Sequence, residues 1–182
     1  MSHRQKQFHF DGFAKIQDCF GGSLLNGSNA KTRRPLDSKF PIHLVLRAEK
    51  SLMRLPKTFS LTNMIVAEVS KKHGVTMYKY ANVGNHLHLV ITIPRRSSWS
   101  GYIRELTGKL AQRIKISTGA AGKFWLVKPF TRIVRSWQKA FHVVIQYVVL
   151  NTMEAEGHIT RKEAESLKTL RSILRDGGMI FD

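Results

Sequence analysis

Asn85-His86-Leu87-His88-Leu89-Val90-Ile91-Thr92-Ile93 alternates strictly enough to decide how the chain is read. On a strand, successive side chains point to opposite faces, so Leu87, Leu89, Ile91 and Ile93 form an apolar face for a core. His86, His88, Val90 and Thr92 then occupy the other face. Two histidines two residues apart lie about 7 Å from each other at Cα and can close on one divalent cation, leaving positions for oxygen ligands. The same pattern also fits a half-exposed strand with two polar surface residues.

Outward from this strand, Val75–Val83 reads as a second strand, and Gly84-Asn85 turns it directly into the histidine strand, which predicts an antiparallel hairpin. Upstream, Ile42, Leu44 and Leu46 alternate with His43, Val45 and Arg47 as another strand. Residues 60–73 have helical spacing, with Gly74 as the stop. Downstream, Ile103, Leu106, Leu110 and Ile114 line a helix over 99–116. Residues 124–134 read as a strand interrupted by Pro129, and 136–155 as a helix with Phe141, Val144, Ile145 and Val148 inward. A capping box at Thr160–Glu163 opens a last helix, to Arg175. The order strand, helix, strand, strand, helix, strand, helix predicts an α+β fold: a ferredoxin-like split βαβ, an antiparallel sheet with helices packed on one face and an extra C-terminal helix.

A chain of 182 residues suffices for one domain with extensions. No long apolar run or signal peptide is seen, which predicts a soluble intracellular protein with no membrane partner. The single Cys19 excludes an internal disulfide framework and a Cys-rich zinc site. Thirty Lys and Arg against 12 Asp and Glu give a net charge of +18, spread along the chain, and point to nucleic acid as the polyanion it meets. Residues 1–34 read as a basic, partly disordered N-terminal arm, because Gly21-Gly22, Asn26-Gly27-Ser28-Asn29 and Arg33-Arg34-Pro35 break any periodicity, although Phe8, Phe10, Phe13 and Phe20 offer groups to dock.

In the helix over 136–155, Tyr147 and Asn151 are four apart, about 40° around the axis, at the edge of the apolar stripe. This predicts a phenol and an amide oxygen presented at the sheet margin. A half-buried core tyrosine is the plainer reading of Tyr147, whereas a mid-helix Asn has poor propensity and asks for a reason. Tyr78, Tyr80 and Tyr102 have no oxygen ligand one helical turn away.

Gly84-Asn-His86-Leu-His88-Leu-Val90, followed by Tyr147-Val-Val-Leu-Asn151 and then Glu156-Gly157, resembles the single-tyrosine HUH transposases of bacteria, an insertion-sequence-type superfamily. It is most similar to the REP-associated tyrosine transposases. Arg34-Pro35-Leu36, Ile42–Arg47, Phe124-Trp125 and Thr131–Val134 occur in the same order as in that branch. The match covers residues 35–157, leaving 158–182 as a C-terminal helix and tail. The chain departs from the pattern at Thr152, where Pro is usual, and at Thr131, where Asp is frequent.

The resemblance implies His86 and His88 as metal ligands, Asn151 as the third, and Tyr147 as nucleophile. It also implies Mg²⁺ or Mn²⁺ as cofactor, and nicking and rejoining of single-stranded or hairpin DNA through a covalent 5′-phosphotyrosine, in the bacterial cytoplasm at the nucleoid. A homodimer is left open. For DNA contacts the nominated groups are His43, Arg47, Arg104, Lys109, Arg113 and Arg132. His73 reads as a helix-end residue, His142 and His158 as surface, and Trp99, Trp125 and Trp137 as core or base-stacking groups. Two other function classes stay open: a non-catalytic nucleic-acid-binding protein of this fold, and a metal-dependent phosphodiesterase using water.

Overall fold

The computed structural model describes residues 16–22 and 33–167. Its elements are β1 (Cys19–Phe20), β2 (Ile42–Arg47), α1 (Pro56–Lys72), β3 (Thr76–Asn82), β4 (His86–Thr92), α2 (Ser98–Thr118), β5 (Phe130–Ile133) and α3 (Lys139–Ala155). The sheet order is β1-β5-β2-β4-β3 with every pairing antiparallel, which is the split βαβ arrangement with one added edge strand.

The helices begin and end where local chemistry allows. Pro56 at the first turn of α1 needs no amide partner there, so α1 opens four residues earlier than its apolar spacing suggested. α2 ends on Gly119, which adopts a left-handed φ of 69° and donates its N–H to Lys115 O. Thr152 keeps the backbone N–H that a proline would remove, and α3 runs on to Ala155. The predicted strand over 124–134 splits: Trp125 bridges only Ala48, and the ladder starts after Pro129. The last helix begins as expected, its capping box closed by Thr160–Glu163 bonds, and is helical over 161–167; the remainder to Arg175 lies outside the described residues.

Within the stretch read as an arm, Cys19–Phe20 adds to the sheet beside β5, and Arg34 stacks over Phe20 while donating to Thr131 Oγ1 at 2.7 Å. Phe8, Phe10 and Phe13 lie outside the described residues.

The helices do not share one face. α1 and α2 cover Ile42, Leu44, Leu46, Leu87, Leu89 and Ile91, while α3 lies on the opposite face, with Ala140, Val144 and Val148 on Ala81, Val90 and Val134. The physical reason is Val90: between His88 and Thr92 it gives the histidine side its own apolar strip, and β4 is accordingly buried on both faces. Burying side chains of this kind stabilises by about 1.5–3 kcal/mol each, enough to hold α3 there.

Candidate active site

The turn that delivers the histidines is anchored from several sides. Asn82 donates to Met53 O at 2.7 Å and accepts from Gly84 N at 3.0 Å, and Met53 N donates to Gly84 O at 3.0 Å. Gly84 has φ +96°, and a Cβ there would come within 2.4 Å of Ser51 Oγ, so only glycine lets the loop at 51–54 close on the turn.

Directly opposed residues of an antiparallel pair share a face, so the register assembles one floor from all five strands. His86 lies beside Arg47, His88 beside Val45 and Ala81, and His43 between Val90 and Arg132, with Cys19 beyond Arg132. His43, His86, His88 and Arg132 are all buried. α3 roofs this floor with Tyr147, whose ring meets His88 edge-on at 5.3 Å and His43 at 5.8 Å between centroids. Tyr147 therefore lies over the sheet face, not at its margin as the sequence suggested, because α3 packs on Val90. Asn151, one turn further, is 3% exposed and donates Nδ2 to Tyr147 O at 2.7 Å. A carbonyl can only accept, so this bond fixes the amide and leaves Oδ1 as the ligand-competent end.

The imidazoles are set up as neutral donors of lone pairs. His86 Nδ1 is 2.6 Å from Asn85 Oδ1, an acceptor; Nδ1 thus carries the proton and Nε2 the lone pair. His88 Nδ1 is 3.2 Å from His43 Nε2. Which of the two nitrogens donates depends on the tautomer; the one with His88 Nδ1–H donating is the arrangement in which a metal-binding histidine is oriented through its other nitrogen. Burial, reinforced by the charge of Arg132, lowers the His43 pKa to about 3, so His43 stays neutral. Burial, with the charges of Arg47 and Arg161, lowers that of His86 to about 4. Tyr147 is shifted upward by burial, partly offset by a hydrogen bond with the Asn151 side chain and the charge of Arg161. Its phenol is protonated at neutral pH.

Among the described residues no group of three His, Cys, Asp or Glu could hold a metal. Two neutral imidazoles and an amide oxygen are ligand types that suit a borderline-hard divalent ion such as Mn²⁺ or Mg²⁺.

These pKa directions predict how stability varies with pH. Folded His86 is neutral at pH 5, whereas in the unfolded chain its pKa is near 6.5 and it is largely protonated. The unfolded state binds more protons, so stability is complete above about pH 7 and is lost as pH falls towards 4, by about 2 kcal/mol at pH 5 from His86 alone. His43 acts in the same direction. In chelator, thermal unfolding should occur several degrees lower at pH 5 than at pH 7.5. Equal midpoints would show that the imidazoles are not held neutral.

The other nominated groups are distributed differently. Arg47 and Arg132 belong to the histidine floor; Arg132 is buried, not a solvated charge. Arg104, Lys109 and Arg113 ride on α2, on the far side of the sheet, where Lys109 pairs with Glu68 at 2.9 Å and Glu105 at 3.0 Å. Their spacing gave no indication of which face α2 would cover. His73 caps α1 and pairs with Glu105, and His142 and His158 are exposed. Trp99 is in the core, while Trp137 is 43% exposed against Tyr78 and Phe141. Tyr102 is fully buried on Ser70, and Tyr80 bonds Asn63.

Sequence reasoning missed Asn85 as the partner of His86, and Arg161. The residue before a histidine strand is a detectable signal for Asn85. Arg161 lies outside the boundary at 157, and nothing local tells that the last helix turns back.

The site sets a tyrosine of α3 over a histidine of the β4 pair on a split βαβ sheet. Residues 38–151 match the family described as "Transposase IS200 like", and the chain belongs to that family. Its role is accordingly that of a transposase. In fold it is similar to a REP-associated tyrosine transposase whose structure is bound to a REP hairpin, with 12% identity, TM-score 0.58, and coverage of 85% of this chain and 94% of that one. It is also similar to a putative transposase from Deinococcus radiodurans, with 13% identity, TM-score 0.44, and coverage of 68% and 98%. No curated protein matches it. Among the described residues no helix is long and apolar enough to cross a membrane.

Proposed function

We propose that the protein nicks and rejoins single-stranded or hairpin DNA with a divalent metal, through a 5′-phosphotyrosine on Tyr147. The observation that carries this reading is the packing of the Tyr147 ring on His88 and His43, with Asn151 one turn along the same helix. A REP hairpin bound by the structurally similar transposase supports hairpin DNA as the substrate class.

His86, His88 and Asn151 would hold the metal, which when bound polarises the phosphodiester and stabilises charge on its oxygens. The phenol oxygen of Tyr147 bonds to phosphorus, the bond from phosphorus to the 3′-oxygen breaks, and the loss of the phenolic proton is balanced by protonation of the released 3′-oxygen to a hydroxyl. The linkage conserves the phosphodiester energy, so a 3′-hydroxyl can reverse it. Packing beneath α3 fixes the ring and limits the rotamers from which attack must start. Arg47 and Arg132 supply positive charge beside the histidines for the strand.

The upward-shifted Tyr147 pKa favours a second reading, in which water attacks and the tyrosine is structural. End-labelled linear and hairpin strands incubated with Mn²⁺ or Mg²⁺ should give a protease-sensitive, slow-migrating species on a denaturing gel, abolished by chelator. Cleavage without that species would favour water as nucleophile. Binding without cleavage would leave a nucleic-acid-binding module.

A further inference from the structure

Arg161 begins the helical stretch 161–167, beyond the end of α3, yet its guanidinium turns back to the tyrosine helix. Nη1 is 3.0 Å from Glu154 Oε2 and Nε is 3.2 Å from Glu165 Oε1. Glu154 is seven residues after Tyr147 and three after Asn151, about 20° around the axis from Tyr147 and about 10 Å along it, so it extends the same stripe. The guanidinium is thereby held at the end of the row Tyr147, Asn151, Glu154, with a third of its side chain open to solvent. Through Glu154 it is tied to the helix that carries Tyr147 and Asn151, and its charge acts to lower the pKa of both Tyr147 and His86. Two carboxylates on one arginine fix a fork that is suited to a phosphate's oxygens and cannot lose its charge.

We propose that Arg161 is a phosphate-binding residue that takes a backbone phosphate of the single strand lying across Tyr147 and His86, with Glu154 and Glu165 as the internal counter-ions that hold it in position. The proposal rests on the reading of the site as acting on DNA. It extends the functional surface past residue 157 into the C-terminal segment, and it makes the turn at Gly157, where φ is +77°, part of what aims the cation.

The test compares three full-length variants by anisotropy with a labelled single strand over a range of KCl, in chelator. If the wild type neutralises about five phosphates, its log–log slope is near −3.5, and Arg161→Gln should flatten it by about 0.7 and weaken binding. Arg161→Lys should keep the slope. The double change Glu154→Gln with Glu165→Gln removes both ion pairs but keeps the cation, so it should keep the wild-type slope and weaken binding less than Arg161→Gln does. If the double variant weakens as much as Arg161→Gln, the arginine is only a clamp for the last helix and the proposal falls. It falls equally if Arg161→Gln is folded by thermal melting yet binds with an unchanged slope. Where Arg161→Gln fails to fold, Arg161→Lys against the double variant decides in the same way. The wild-type adduct is measured in parallel: an adduct with an unchanged Arg161→Gln slope overturns this inference alone, whereas no adduct overturns the phosphotyrosine reading and leaves the binding comparison standing.

Discussion

Tyr147→Phe is expected to remain folded, to bind single-stranded DNA as the wild type does, and to form no covalent adduct. The substitution removes one oxygen and leaves the ring, so its edge-on contacts with His88 and His43 survive. What is lost is the hydroxyl and its hydrogen bond with the Asn151 side chain, a change of about 1 kcal/mol in stability. Cleavage should fall by at least roughly 10³-fold, the scale on which removal of a nucleophile acts. Gel assays of both proteins at equal DNA occupancy measure it. A Phe variant that still cuts at the wild-type rate would make the tyrosine structural.

The second large effect concerns the histidine pair. His86→Ala, at the end of the strand and 9% exposed, should abolish metal-dependent cleavage while leaving most of the stability. His88 is a different case. It is 3% exposed beneath α3, touching His43, His86 and Tyr147. Although it faces away from the apolar side of β4, alanine there would open a cavity and is expected to cost on the order of 2–4 kcal/mol. His88→Gln, which fills much of that volume and can still bond His43, is therefore the cleaner variant. Both variants should lose the rate difference between Mn²⁺ and chelator. Retention of that difference in both would place the metal elsewhere.

The hairpin, the two covered helices and the apolar side of β4 were legible because they depend on local alternation and helical spacing. The position of α3 was not. Alternation separates two faces, but whether the face with His86, His88 and Thr92 is wet depends on Val90 meeting Ala81 and Val134, residues brought together only by strand pairing. The same missing information hid the edge strand at Cys19–Phe20, whose partner is more than 100 residues away, and sent the basic residues of α2 to the far side of the sheet. The candidate site itself, His86, His88, Tyr147 and Asn151, was nominated from motif resemblance and is brought onto one face by the fold. The roles of His43 as the hydrogen-bond partner of His88 and of Asn85 as that of His86 required the register.

The most direct measurement of the central claim is the identity of the DNA-linked residue. Trypsin digestion after reaction with a short single strand and Mn²⁺ releases residues 140–161, a peptide between Lys139 and Arg161 whose one tyrosine is Tyr147. Mass spectrometry should find that peptide carrying a nucleotide through its 5′-phosphate, in amounts that vanish with chelator. A nucleotide on a peptide bearing Tyr78, Tyr80 or Tyr102, or cleaved DNA with peptide 140–161 unmodified throughout the reaction, would contradict it.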